Sequence, residues 1–149
     1  MFDAIKRLFG GTEVPTEKIL DPHVAAAALL VEAALVDGVY ANIESDRIAL
    51  ILLESFNLDA DRADEVLELA EMEAEDAIDA YRFTSRVKTL PESERAAVIE
   101  GLYLVALADG DRCAFEDAYI RQVASLLHVD DISRAHARKR AEEVHSASD

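Results

Sequence analysis

The chain is short of cysteine, glycine and basic charge, and each shortage closes a route to function. Cys113 is the only cysteine in 149 residues, so no intrachain disulfide can form, and the usage suits a reducing compartment, the cytoplasm. Its one basic neighbour in sequence is Arg112, which fits an ordinary thiol better than an activated one. The five glycines, Gly10, Gly11, Gly38, Gly101 and Gly110, lack the spacing of a phosphate-cradling loop. Only 15 Lys and Arg stand against 31 Asp and Glu, a formal net charge of −16, and that repulsion opposes any sequence-independent grip on a phosphate backbone. Nucleic acid is therefore not an expected partner. Long apolar runs are missing too. The longest stretch almost without charge, His23 to Val36, covers 14 positions and still contains Glu32, whereas a spanning helix needs about 20 apolar residues. Residues Met1 to Phe9 hold no continuous apolar core of the kind a secretory signal requires, so no export is expected.

What is present is a hydrophobic content of 51%, enough for one domain with one substantial core. Phe2, Ile5, Leu8 and Phe9 recur at helical spacing with Lys6 and Arg7 between them, and Gly10-Gly11 ends this short amphipathic arm. Two roles are open for it: a weak contact with a partner or the inner-membrane surface, or packing back on its own domain. Asp21-Pro22 reads as a helix start, Asp as N-cap and Pro at the first helical position. The helix it opens runs to Asp37, is apolar on every side except at Glu32, and so predicts burial at the centre of the fold. Gly38 closes it.

Asn42 opens a second helix with Ile48, Ile51, Leu52 and Phe56 on one face. A third, from Asp61, sets Ala63, Val66, Leu67, Ala70 and Ala74 against Asp64, Glu65, Glu68, Glu71 and Glu75, an acidic side that reads as a solvated face. A helix is predicted from Asp76 to about Leu90, with Pro91 beginning the next. Ala96 to Ala108 repeats the buried pattern with Glu100 as its only charge. Helices from about Ala114 to Leu127 and from about Ile132 complete the chain, the last carrying Arg134, Arg138, Lys139 and Arg140. The expectation is an all-α bundle of about seven helices.

Half of this pattern is a copy of the other half. Ala34-Leu35-Val36-Asp37-Gly38 precedes Ala106-Leu107-Ala108-Asp109-Gly110 by 72 positions, and the same offset takes Glu44 to Glu116 and Ile48 to Ile120. After a one-residue deletion, Phe56-Asn57-Leu58-Asp59 matches Leu127-His128-Val129-Asp130. Residues 1–20 then read as arm and linker and 21–149 as the helical domain, with repeats over about 21–73 and about 91–145 related by a pseudo-two-fold axis.

A buried helix ending in Asp-Gly, followed seven residues after the Asp by an acid at the start of the next helix, present twice, resembles the TerB-like family of tellurite resistance proteins. Asp79-Ala80-Tyr81-Arg82-Phe83-Thr84 and Glu94-Arg95 are similar to the same family, and the resemblance covers roughly residues 21–132. It implies an all-helical fold, a cytoplasmic or membrane-peripheral location, an association with tellurite and stress resistance, an acidic metal site, and no enzymatic activity. Family turns commonly carry another acid four residues after the Asp; Ala41 and Cys113 stand at those places here.

The candidate site follows from charge in costly positions. Asp37 and Asp109 end helices, where the macrodipole disfavours a carboxylate by about 0.3–1 kcal/mol unless it is compensated. Either a hard divalent cation, Ca, Mg or Mn, is shared with Glu44 and Glu116, or the carboxylates accept hydrogen bonds from N–H groups of their turns and the next helix starts. Glu32 and Glu100 add charge inside otherwise apolar helices, costly unless paired or ligating. Glu100 matches Ala28, one turn before Glu32, so the two acids share one face of equivalent helices; they either converge near the axis or lie at solvent edges. His23, His128, His136 and His145 have no zinc or triad spacing, and the one Glu-x-x-His, Glu142 to His145, lacks the second copy that a di-iron bundle needs. The expected function is binding: a metal-responsive or stress-associated protein, or a metal-free module offering an acidic face to an unidentified basic protein partner.

Overall fold

The computed structural model of the chain describes residues 20–36, 42–76, 81–108 and 114–147, without the side chains of residues 36, 42–45, 76, 81, 108 and 114–116. Seven α-helices and no strand occur among the described residues: α1 Pro22–Val36, α2 Asn42–Glu54, α3 Ala60–Asp76, α4 Tyr81–Val87, α5 Glu92–Ala108, α6 Ala114–Leu126 and α7 Asp131–Ala147. The all-α expectation holds. None of these helices is long and apolar enough to cross a membrane. The amphipathic arm and both Asp-Gly turns, with Ala41 and Cys113, lie outside the described residues.

Helix α1 begins as its sequence demands. Asp21 Oδ1 accepts from the backbone N–H of His23 at 2.7 Å, its carbonyl accepts from Ala25 at 2.9 Å, and its second carboxylate oxygen takes Arg62 of α3 at 2.8 Å. Val24 to Val31 and Ala34 are buried, which puts α1 at the centre: α3, α4, α5 and α2 all pack against it. Helix α5 is the second axis, packed on α7, α1, α2 and α6. One hydrophobic cluster joins residues of all seven helices, from Val24 through Phe83 and Tyr103 to Ala141. The helix expected from Asp76 to about Leu90 is shorter; Asp76 ends α3, α4 stops at Val87, and a turn follows in which Leu90 N–H donates to the Val87 carbonyl at 2.9 Å.

Gly101 explains how α1 and α5 come so close. A Cβ there would stand 2.9 Å from Ile51 Cδ1 and 3.0 Å from Leu30 Cδ2, so the glycine is the hole into which side chains of α1 and α2 fit. A mid-helix glycine costs about 1 kcal/mol of propensity, offset here by the contact it allows.

The connections α2–α3 and α6–α7 share one local geometry. Asn57 and His128 both take left-handed φ, 61° and 59°, which reverses the chain after each helix. Two residues on, Asp59 and Asp130 cap the next helix, accepting through Oδ1 from the N–H groups of Arg62 and Ser133 at 2.7 Å each. These hydrogen bonds hold the Asp130 carboxyl below its ordinary range.

Candidate functional site

Of the six predicted acids, Glu32 and Glu100 are described in full. Asp37 and Asp109 lie outside the described residues, and the backbones of Glu44 and Glu116, in α2 and α6, are described without their side chains. Among the described residues no group of three His, Cys, Asp or Glu side chains is placed to hold a metal ion.

Glu100 sits at the solvent edge of α5, its side chain 23% exposed, and accepts from Arg140 Nε of α7 at 2.8 Å. The charge in the apolar helix is thus neutralised by a residue 40 positions away. Glu32, partly buried on α1, is close enough to Tyr119 of α6 for its charge to act there: burial first, and Glu32 second, push the Tyr119 hydroxyl up to about 12. That hydroxyl is buried and has no hydrogen-bond partner among the described residues. The two acids therefore act on different helices, Glu100 pairing with Arg140 of α7 and Glu32 acting on Tyr119 of α6.

Of the residues that carried the resemblance, Arg82, Glu94 and Arg95 are described and act as fasteners. Glu94 Oε1 meets His23 Nε2 at 2.8 Å, and the His23 ring stacks on Phe56 with centroids 4.9 Å apart. Arg95 donates to the carbonyl of Leu90 in the turn before α5 at 3.1 Å and to that of Leu127 at 2.8 Å, the latter an oxygen at the end of α6 that the helix itself leaves open. Arg82 Nη1 reaches Glu73 of α3 at 2.6 Å, while Phe83 and Thr84 are buried beneath it. Arg86 Nε donates to the Leu20 carbonyl at 2.8 Å. Asp79 and Ala80 lie outside the described residues.

A surface feature not singled out by sequence reasoning runs between α1 and α3. Val31, Leu35, Glu68, Glu71, Met72 and Glu75 line a groove of about 340 Å³. Leu35 is 41% exposed and Met72 59%. The acidic side of α3 thus also carries exposed apolar surface at Met72. Two signals in the sequence pointed to it: Leu69 and Met72 interrupt the acidic pattern, and no Lys or Arg follows any of Glu68, Glu71 and Glu75 at the i+4 spacing that makes intrahelical pairs. Helix α3 also ends without a basic residue in its last turn, where the dipole favours cations.

Comparison with curated proteins and with solved structures returned no match. The family model described as tellurite resistance protein TerB matches residues 23–139, from the second residue of α1 to well inside α7. Spanning all seven helices in this way, the chain belongs to the TerB family.

Proposed function

We propose that this TerB-family chain is a non-enzymatic, cytoplasmic binding protein of the tellurite or general stress response, and that it recognises a basic protein partner through the outer side of α3. The observation that carries the reading is the groove with Leu35 and Met72 at its exposed apolar surface and Glu68, Glu71 and Glu75 beside them. A patch of apolar side chains set among one sign of charge is the usual make-up of a protein contact site, and the chain's excess of acid would steer a cationic partner toward it. Growth under tellurite tests it. Cells lacking the protein should regain growth with the wild-type chain and not with Met72→Glu, provided circular dichroism finds that variant folded; equal rescue by both would sink the α3 reading.

A second reading is favoured by Glu32, an acid partly buried on the otherwise apolar α1 whose charge reaches Tyr119 of α6. Here Asp37, Glu44, Asp109 and Glu116, supported by Glu32, hold Ca, Mg or Mn. Glu100 contributes less, its charge being met by Arg140. A ligand of the native state raises the melting temperature by mass action. Manganese, calcium or magnesium should therefore shift it in wild type and fail to do so in Asp37→Ala and Asp109→Ala; an unchanged wild type removes the metal.

A further inference from the structure

We infer that the groove between α1 and α3 is a seat for one basic amphipathic helix of a partner protein, about two turns of which lie along α3. This rests on the reading of the chain as an acidic binding module and names the shape and chemistry of what it binds. Glu68, Glu71 or Met72, and Glu75 follow one another at i, i+3 or i+4, and i+7, so they form one stripe along α3, about 10 Å long at 1.5 Å per residue. Val31 and Leu35, one turn apart on α1, form the facing wall. Two packed helices with an apolar seam between them accept a third helix whose apolar residues recur at i, i+3, i+4 and i+7. Met72, 59% exposed, is flexible and polarizable, the side chain best able to adapt to an incoming apolar surface.

Charge sets the sign of the occupant. Among the described residues no basic side chain lines the groove, and the C-terminal turn of α3, where the dipole is negative, holds no basic residue of its own. Arg82 meets Glu73 in that turn, and Lys or Arg from a partner would add cationic charge beside Glu75 at the same helix end. The acids are spread along the helix instead of converging on a point, and no three of them are placed for a metal; a row of charges beside an apolar floor matches an extended cationic helix. An anionic membrane surface is repelled by the same row.

The test uses the full chain and a synthetic peptide of about four helical turns, with Leu at i, i+3, i+4 and i+7 and Lys and Arg elsewhere, fluorescently labelled. Its control has the same composition with the Leu residues dispersed. Wild type should bind the amphipathic peptide saturably and the control about tenfold more weakly. Glu68→Lys with Glu75→Lys should weaken binding about tenfold or more, and Met72→Glu by a similar factor. Glu54→Lys with Glu92→Lys, equal in charge change and exposed on other helices, should alter it less than about twofold. If both double reversals weaken binding equally, or the dispersed peptide binds as well, the acidic module stands and the groove is wrong. If neither peptide binds, both fall. Should wild type sediment as a dimer that Met72→Glu converts to monomer, the groove's occupant is a second copy and the inference is overturned.

Discussion

Helices α3 and α7 hold comparable places, each the helix packed most extensively on the apolar helix of its own half, α1 or α5, yet they carry opposite charge. Helix α3 has eight Asp and Glu with Arg62 alone against them; α7 has four Lys and Arg with three acids. The use made of the charge differs as much as its sign. Two basic residues of α7 reach across to α5, Arg134 donating to the buried Tyr103 hydroxyl at 3.3 Å and Arg140 neutralising Glu100, while Arg138 lies 3.4 Å from Glu142 of its own helix. In α3, Glu65 pairs with Arg62 and Glu73 with Arg82, while Glu68 and Glu75 lie along an open groove. Charge in α7 ties that helix to α5, and part of the charge in α3 stands at the groove.

The comparison depends on the two halves being firmly joined, so the largest effect is expected at the join. Gly101→Leu pushes a side chain into Leu30 and Ile51 and should cost about 3 kcal/mol in denaturant unfolding. Gly101→Ala should stay within about 1 kcal/mol of wild type, since the methyl clash and the gain in helix propensity oppose each other. A tolerated Leu would mean that the halves are not locked at this point.

Next comes Tyr119→Phe, which removes a buried hydroxyl without a partner and should stabilise by on the order of 1 kcal/mol at neutral pH. It also changes the alkaline limb. A hydroxyl pushed up to about 12 in the folded chain ionises first in the unfolded chain, near its ordinary value of about 10. Its contribution is fully present below that ordinary value and is lost as pH rises through the folded one. Melting temperature should therefore fall between these two pH values in wild type and fall less in Tyr119→Phe; parallel curves would contradict the assignment.

Arg140→Ala sharpens the contrast directly. It leaves the partly buried Glu100 without its cation and should cost about 1 kcal/mol, whereas Glu75→Gln in α3 should change little or stabilise by about 0.3 kcal/mol through the helix dipole. Equal costs would erase the distinction between the two helices. Between these values lies His128→Gly, expected to gain about 0.5 kcal/mol because glycine accepts the left-handed φ that histidine resists. Asn57→Gly should gain less, asparagine tolerating that conformation better.

The fold was largely legible because its signals are local. Apolar residues at helical spacing, Asp21-Pro22 at the entry to α1 and the long unbroken stretch before Glu32 each report on their own segment, and the helices lie where those signals put them. Helix ends were read less well. Nothing local stops the pattern at Val87, and Pro91 proved to stand just before α5, its carbonyl accepting from Glu94 and Arg95 at 3.0 Å each. The candidate site was legible only in part. Glu100 was marked as a charge in need of compensation and is met by Arg140 at the solvent edge, while the groove beside Met72 was read only as a solvated face.

Composition and periodicity by themselves determined that this chain is helical, acidic, free of intrachain disulfides and built around two apolar helices, because those properties are set within one or two turns of chain. Tertiary structure alone decided which charges are spent and which are offered. His23 meets Glu94 across 71 positions, Arg140 meets Glu100 across 40, and Gly101 owes its place to Leu30 and Ile51. Coulomb attraction and steric fit act through space, so their outcome is fixed only once the helices have been brought side by side.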